Sequence, residues 1–291
     1  MKPNTKRSYK TTLKLWSDFI HNKQVKYDTA STLDAFHFFD YISNRLGIDG
    51  KRAANGTVHS RIKLMRKVYQ VLVSEGVCET NIFQTSLIVL KHPRSNMKRQ
   101  TQSIPQSLIK PILKYKPKSI KERQALCLIA LMYGGGLRIS EVLRLNLADI
   151  RHSDKGTLYA VLRDTKNGTD ARQALPAWCY QYLTKQITQR KLEGGENLFV
   201  TYGSRGNVLS NSLKIRNASR HTKKILRVMG LVKHSNHSLR KTSINYLVDK
   251  HYPVVEVQKF ARHKSIVSTQ AYFNESMNIE KCLARKIVLA T

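Results

Sequence analysis

The stretch Ala261-Arg262-His263-Lys264-Ser265-Ile266, followed by Thr269-Gln270-Ala271-Tyr272, gives the strongest indication of fold and chemistry in this sequence. Two earlier segments belong with it, Gly136-Leu137-Arg138-Ile139-Ser140-Glu141 and His237-Ser238-Leu239-Arg240-Lys241-Thr242. Arginine binds phosphate oxygens with a planar, permanently charged fork, and histidine is the usual side chain for moving protons near neutral pH. The combination predicts a site that acts on a phosphate group.

The charge of the whole chain points the same way. The 291 residues include 51 Lys and Arg against 19 Asp and Glu, a formal net charge of +32. Such an excess disfavours a compact state unless a polyanion neutralises it, and nucleic acid is the natural candidate. Residues 1–100 carry 18 basic against 7 acidic side chains, and residues 101–291 carry 33 against 12. This spread disfavours membrane-surface binding, which needs a concentrated basic amphipathic helix or a lipid anchor.

Several other classes of protein are disfavoured by what the sequence lacks. It has no apolar run of about 18 residues that could span a membrane and no apolar signal core near Met1, so a cytoplasmic, nucleoid-associated protein is expected. It has no Walker-type or GxGxxG loop. Its cysteines form no CxxC pair, which disfavours a zinc finger and fits reduced core positions: Cys78, Cys127, Cys179 and Cys282.

The first part of the chain, residues 1–90, reads as a helical domain. Its apolar side chains recur at helical spacing in three segments, and the third combines an apolar stripe with a crowded basic face. A basic face is usually only solvated, but the overall charge favours DNA contact here, through Arg61, Lys63, Arg66 and Lys67. A polar, basic segment without periodicity at residues 91–103 predicts a linker.

Residues 104–291 are expected to form the second domain. A helical apolar segment, Ala125–Tyr133, runs into three glycines, and Leu158–Leu162 is strand-like. An Asn-Gly pair in the turn after this strand, followed by a second strand-like segment, is a hairpin signal. The helical pattern returns from Ser212. The expected fold is therefore mainly α with a small antiparallel β-sheet.

The three motif segments, in this order and with these gaps, resemble those of the tyrosine recombinases, also called the phage integrase family. In that family a GLRxSE-type segment and an HxLRHT-type segment carry two arginines, and the nucleophilic tyrosine lies nine residues after a histidine, as Tyr272 does after His263. The hairpin lysine of the family corresponds to Lys166. The resemblance covers nearly the whole chain and implies an N-terminal helical (SAM-like) core-binding domain, an α+β catalytic domain and an Xer-like two-domain plan.

The resemblance also implies a role for each matched residue. Tyr272 would attack a DNA phosphate, and Lys166 would protonate the leaving hydroxyl. Apart from the resemblance, Glu141 lies three residues after Arg138 on the same helix face, where it would orient that arginine. Arg138 and Arg240 would bind the phosphoryl oxygens, with His237 and His263 assisting. An unperturbed tyrosine has a pKa of about 10, so the phenol needs cations around it. The scheme uses no metal, ATP or other cofactor, because the phosphotyrosyl ester conserves the energy of the broken bond.

The sequence departs from the family pattern at four places. Arg262 stands where glycine usually precedes the histidine and permits a tight turn, so either a strained backbone at Arg262 or a different turn is expected. Lys241 replaces a common histidine. Gly134-Gly135-Gly136 stands where a Thr-Gly pair is usual, which could loosen the approach to the first arginine. The turn that holds Lys166 is one residue longer than usual.

Taken singly, each of these residues has an ordinary structural explanation. Arginine near a helix start is most often at the surface, and Tyr272 is one of 13 tyrosines. His234 and His237 have HxxH spacing, but no nearby cysteine or carboxylate supports a metal site. Three other functions remain open: a non-catalytic DNA-binding protein of the same fold, a type IB topoisomerase, and, less favoured because acidic residues are scarce, a metal-dependent transposase.

The end of the sequence carries one more prediction. Ile279, Leu283 and Ile287 recur at helical spacing, and the resemblance implies that this helix docks on a neighbouring copy in a homotetramer on DNA. The partners expected are double-stranded DNA recombination sites, together with accessory or directionality proteins. Without an obvious arm-binding domain before its first helices, the chain is expected to be a simple core-site recombinase.

Overall fold

The structure, a computed structural model, describes residues 3–47, 50–84, 101–163 and 170–275. The chain divides into two compact units, Met1–Lys98 and Arg99–Thr291. Most of the predicted linker lies outside the described residues, and the predicted domain boundaries stay a prediction. Ser103, at the end of that segment, already belongs to the second unit, since its carbonyl lies 3.1 Å from Nε2 of His234.

The first unit contains three long helices, α1 Pro3–Asn22, α2 Thr32–Asn44 and α3 Asn55–Ser74. Ser31 begins α2 with a capping box, in which its hydroxyl accepts from the amide of Asp34 and the Asp34 carboxylate accepts from the amide of Ser31. Aromatic rings fill the space between the helices, with centroids 5.0 to 6.2 Å apart among Trp16, Phe38, Tyr69 and Phe83.

The apolar stripes predicted from helical periodicity contain most of this core. They also contain three residues that the structure shows to be exposed. Leu13, Leu33 and Leu46 lie 39%, 61% and 60% exposed. Leu33 follows the start of α2 directly, and Leu46 lies beyond its last residue. The buried residues of α2 lie between these two positions, from Ala35 to Ile42, so the apolar stripe extended further along the sequence than the buried face does.

The second unit is mainly helical and has two small antiparallel sheets, which confirms the predicted fold class. Its helices are α4 Gln106–Leu113, α5 Ile120–Gly134, α6 Ile139–Val142, α7 Tyr180–Leu192, α8 Ile215–Val228, α9 Asn236–Asp249, α10 Val254–Ala261 and α11 Val267–Glu275. Its strands are β1 Ile150–His152, β2 Leu158–Leu162, β3 Ala171–Ala174, β4 Thr201–Tyr202 and β5 Val208–Ser210.

Helix α5 forms the centre of the second unit. Residues 124–132 are all buried, so this helix is covered on every side. A helix that is apolar all round must be enclosed by other elements, and α7, α8 and α9 pack against it. Cys127 and Cys179 are free and buried in this core, and Cys78 is free and buried in the first unit. No helix among the described residues is long and apolar enough to cross a membrane.

The three-stranded sheet has the order β1-β2-β3, with both pairs antiparallel. Ala160 lies opposite Ile150 on one side and Gln173 on the other. The predicted hairpin is therefore confirmed in its strands. Its turn, with Lys166, lies outside the described residues, as do Cys282 and the predicted terminal helix.

The last helices form a small separate core within the second unit. Ile244, Val248, Val257 and Ala261 are buried together, and Tyr272 packs against them. Between α10 and α11 the backbone turns sharply at Arg262, which has φ 50° and ψ 48°. Of the two alternatives expected at this position, the structure shows the strained backbone.

Candidate active site

Arg138 lies at the start of α6, where it is the N-cap residue. The carboxylate of Glu141, one turn later, accepts from both the backbone and the side chain of this arginine. Its Oε2 lies 2.8 Å from the Arg138 amide, and its Oε1 lies 2.7 Å from Nη1. The side chain of Glu141 is 6% exposed and that of Arg138 is 26% exposed. Glu141 therefore fixes the guanidinium while one side of it remains open to solvent.

The three glycines before this arginine pack closely. Gly136 has a positive φ of 57°, and an added Cβ would lie 2.6 Å from the ring of Phe260. An added Cβ at Gly134 would lie 2.6 Å from Sγ of Cys179, and one at Gly135 would lie 2.6 Å from Leu175. The predicted loosening of the approach to the arginine is therefore not observed, because these glycines let neighbouring side chains come close.

Arg240 connects two of the motif segments through the backbone. It lies on α9, is 2% exposed, and donates to the carbonyls of Gly136 and Ala261. Burial lowers the pKa of its guanidinium, and the nearby charges of Arg138 and Arg262 lower it further. An arginine remains charged even so. The cluster therefore contains positive charges close together, an arrangement that a bound anion would stabilise.

His263 follows directly after the sharp turn. Its Nδ1 lies 2.9 Å from Oγ1 of Thr269, and its backbone amide donates to the carbonyl of Gln258. Burial and the charge of Arg240, with smaller effects of other cations, lower the pKa of its imidazole to about 4. His263 is therefore neutral at pH 7, with one ring nitrogen that donates and one that accepts.

Tyr272 lies on α11 beside this histidine. The two rings are stacked, with centroids 6.0 Å apart and planes inclined by 26°. Nζ of Lys241, on α9, lies 6.0 Å from the centre of the tyrosine ring. The phenol thus lies among cationic side chains, as the chemistry of a tyrosine nucleophile requires.

Two further catalytic residues were predicted, His237 and Lys166. His237 lies on the first turn of α9 with its side chain partly open to solvent. The partial burial of its imidazole, and then the charges of Arg240 and Arg138, lower the pKa of this group. Lys166 lies outside the described residues. Within the described residues no three His, Cys, Asp or Glu side chains converge as a metal site would require.

Sequence reasoning missed one member of the cluster. In the sequence Arg262 is only a departure from the family pattern in a turn, but its side chain extends into the site and is 10% exposed. Its Nη2 lies 2.8 Å from Oε2 of Glu141, and its Nη1 donates to the side chain of Gln173 on β3. An arginine where the backbone favours glycine was the one signal that could have identified it.

The four predicted DNA-binding residues lie on α3 in the first unit. Lys63, Arg66 and Lys67 are exposed, and Arg61 is partly buried. Arg61 lines a cleft of about 250 Å³ between α1 and α3, together with Arg7 and several hydroxyl side chains. This basic, hydroxyl-rich surface has the composition that phosphate binding requires.

The second unit therefore gathers arginines, histidines and a tyrosine from α6, α9, the turn after α10, and α11. Guanidinium groups can neutralise the charge that develops on a phosphoryl group in a transition state. A phenol held among cations can attack it. These are two of the parts that phosphodiester transfer requires, and the third, an acid for the leaving hydroxyl, is what the undescribed Lys166 was predicted to supply.

Comparison with known proteins agrees with this geometry. The sequence is 24% identical over 276 residues to a tyrosine recombinase XerC of Oceanobacillus iheyensis. The aligned residues cover 93% of this chain and 85% of that protein. It is 23% identical to a tyrosine recombinase XerD of the same organism, covering 92% and 86%.

Solved structures share the fold. An integrase of the Tn1549 transposon, in complex with circular intermediate DNA, has a TM-score of 0.73 at 15% identity and covers 99% of this chain and 94% of its own. A lambda integrase dimer bound to a core site has a TM-score of 0.66 at 16% identity and covers 97% and 75%. The model of the phage integrase family matches residues 100–278. The chain therefore belongs to the phage integrase family.

Proposed function

We propose that this protein is a site-specific tyrosine recombinase that cleaves and rejoins DNA strands with Tyr272 as the nucleophile. The observation that supports this most is the convergence of Arg138, Arg240, His263 and Tyr272. They come from the start of α6, from α9, from the turn after α10 and from α11. DNA binding alone does not require a tyrosine stacked on a neutral histidine beside a pair of arginines.

The proposed first step is attack of the Tyr272 hydroxyl oxygen on a DNA phosphorus. The phenolic proton passes to the neutral imidazole of His263. The bond from phosphorus to the 5′ oxygen breaks, the new bond joins the tyrosine to the 3′ phosphate, and the 5′ oxygen takes a proton. Lys166 is the proposed proton donor. The 5′ hydroxyl of a second strand then attacks the phosphotyrosyl ester and releases the tyrosine. Two rounds of this exchange, through a Holliday junction, recombine two sites.

Each predicted site residue has a distinct place in this scheme. Arg138 and Arg240 bind the non-bridging oxygens of the phosphate, and Glu141 holds the first of them in place. His263 and His237 transfer or hold protons by hydrogen bonding. In the first unit, Arg61, Lys63, Arg66 and Lys67 bind the DNA backbone. Recombination of two sites requires four copies, and the segment from Ile279 to Ile287 is the proposed contact between them.

The nucleophile can be tested with DNA that traps cleavage. The Tyr272→Phe protein is used to select a binding duplex from a randomised pool, and the duplex is then made as a series with a nick at successive positions. With EDTA present, the wild type is expected to become covalently attached to the 3′ end of one of these nicked duplexes. Tyr272→Phe should bind equally well and form no adduct. Tyr252→Phe, which changes an exposed tyrosine in the loop before α10, should form it normally.

The outcomes separate the competing functions. An adduct in Tyr272→Phe contradicts the assignment of the nucleophile. Binding without any adduct in the wild type indicates a non-catalytic DNA-binding protein. A plasmid with two copies of the selected site should be resolved or inverted, whereas relaxation of a plasmid lacking the site indicates a topoisomerase. The mass of the complex on two-site DNA should correspond to four chains.

A further inference from the structure

Arg262 stands at a backbone position that disfavours it. The residue ends α10 with φ 50°, a left-handed conformation in which the Cβ of an L-amino acid crowds the following carbonyl. Only two other non-glycine residues among the described residues, Gln24 and His251, have a positive φ. Glycine would adopt this turn without strain.

The side chain of Arg262 reaches back to two other elements. Its Nη2 lies 2.8 Å from Oε2 of Glu141, which is on α6, and its Nη1 donates to the side-chain oxygen of Gln173, which is on β3. Gln173 itself is 7% exposed. One guanidinium therefore joins the turn that carries His263 to the helix start that carries Arg138.

The arrangement brings further costs that a glycine would avoid. Nε of Arg262 is buried without a hydrogen-bond partner. The guanidinium also lies close enough to Arg240 for its charge to disfavour the charged form of that neighbour. Strain, an unpaired donor and charge repulsion at one residue are features that accumulate at functional sites rather than at positions selected for stability.

We propose that Arg262 is a positioning residue for strand cleavage, which holds Glu141 and, through it, the guanidinium of Arg138 towards the scissile phosphate. The inference rests on the proposed recombinase function. Glu141 uses both oxygens, since Oε1 accepts from Nη1 of Arg138 and Oε2 accepts from the Arg138 amide and from Arg262. Without Arg262 the carboxylate loses its second charged partner and can rotate, and the Arg138 guanidinium rotates with it.

Arg262 also restores charge to the site. Glu141 offsets one positive charge, so Arg138 and Arg240 with Glu141 alone would present one net charge to a phosphate. With Arg262 the same group presents two. His263 faces Arg240, Arg138, Arg262 and His237, all of which lower the pKa of its imidazole after burial, and it is stacked on Tyr272. Removal of Arg262 should therefore raise the pKa of His263.

Three substitutions test the role in the full-length protein. Arg262→Gly removes the guanidinium and relieves the backbone, so the fold is retained. Arg262→Lys keeps the charge but cannot bind Glu141 and Gln173 together. Lys259→Ala is the matched control, because it removes an exposed cation three residues earlier. The measurement is the rate of covalent adduct formation under single-turnover conditions on the nicked duplex that the wild type cleaves.

Arg262→Gly is expected to lower this rate about 100-fold, the size of effect that a displacement of about 1 Å produces, with DNA affinity nearly unchanged. Arg262→Lys should restore part of the rate, and Lys259→Ala should match the wild type. The pH profile of Arg262→Gly should have its acidic limb at higher pH. A wild-type rate in Arg262→Gly overturns the proposal.

A double-mutant cycle with Glu141→Gln identifies the route of the effect. If Arg262 acts through Glu141, the double variant is no slower than the slower single variant. If the two losses multiply, the proposal is wrong.

A measurement on the free protein separates this inference from the proposed function. Exchange between the Nη resonances of Arg138 reports rotation of its guanidinium, and it should be faster in Arg262→Gly. If the wild type forms no adduct on any nicked duplex, the recombinase function fails, and this exchange alone decides the inference. Unchanged exchange overturns it.

Discussion

At the scale of single residues, the balance of charge around Glu141 distinguishes this site. A buried carboxylate alone is unfavourable, and burial by itself would raise its pKa. Arg262 and Arg138 outweigh burial, so the pKa of Glu141 falls below its ordinary value of 4.5. The residue is therefore charged at neutral pH because two arginines contact it, and the arginines are held because it is charged.

Glu141→Gln should destabilise the second unit at neutral pH, by about 3 kcal/mol, because it leaves buried arginines without a counter-charge. Since the pKa of Glu141 is lower in the folded state than in the unfolded state, its contribution is fully present above about pH 4.5 and is lost as the pH falls below that value. Urea denaturation of wild type and variant, followed by circular dichroism from pH 7 to pH 3, should show a difference that shrinks on acidification.

Glu256→Gln, an exposed position on α10, is the control for this measurement. It should change the free energy of unfolding little at any of these pH values. A constant difference between Glu141→Gln and the wild type across the range would contradict the assignment of a charged Glu141.

At the scale of elements, the site depends on how closely α10 approaches the loop before α6. Phe260 packs directly on Gly136, and the carbonyl of this glycine accepts from Arg240. Helical periodicity and turn propensity predicted these elements individually. These patterns could not predict the contact between the two elements. The contact depends on the absence of a side chain at Gly136 and on the ring of Phe260, which is 124 residues later in the chain.

Gly136→Ala should therefore disturb both packing and chemistry. The added Cβ would lie 2.6 Å from the Phe260 ring on a backbone with φ 57°. Strain and overpacking together should therefore lower the free energy of unfolding by about 3 kcal/mol. The rate of adduct formation should fall as well, because the acceptor of Arg240 moves. Thermal denaturation and single-turnover cleavage measure the two effects.

Gly230→Ala provides the comparison at a positive φ of 75°, with no atom within 4 Å of the added Cβ. It should lower the free energy of unfolding by about 1 kcal/mol, through backbone strain alone. It should leave the rate of cleavage unchanged. Equal effects of the two alanines on stability and cleavage would show that close packing at Gly136 is unimportant.

At the scale of the whole molecule, the net charge of +32 predicts how the protein meets DNA. Each phosphate that a cation neutralises releases counterions, so affinity should fall steeply and linearly in a plot of log K against log salt. Both units are basic, so each is expected to contribute to the slope. The exposed basic face of α3 is the proposed contribution of the first unit.

Lys63→Ala and Arg66→Ala should each lower the affinity for the selected duplex and reduce the salt slope by about 1. Gln70→Ala, exposed on the same helix but uncharged, should leave the slope unchanged. Fluorescence anisotropy at several salt concentrations provides the measurement. Unchanged slopes in both charge variants would show that the basic face of α3 is only solvated and does not contact DNA. Solvation is the ordinary explanation of a basic helix face.

The sequence by itself determined the class of this protein. Its charge predicted a polyanionic partner. Its local patterns predicted the helices and the hairpin, and the spacing of its motifs identified the family. These properties are local or additive, so they can be obtained from the sequence without knowledge of contacts. Periodicity also included exposed residues, at Leu33 and Leu46, where the apolar stripe continues beyond a buried face, and at Leu13 within α1.

Only the tertiary structure decided how the site is assembled. It placed Tyr272 on His263, buried Arg240 between two backbone carbonyls, and brought Arg262 to Glu141 across 121 residues of sequence. Such contacts depend on the shape of neighbouring elements and on the balance between burial and charge, which no local pattern encodes. An arginine in a turn that favours glycine was therefore only an irregularity in the sequence, and the fold made it part of the site.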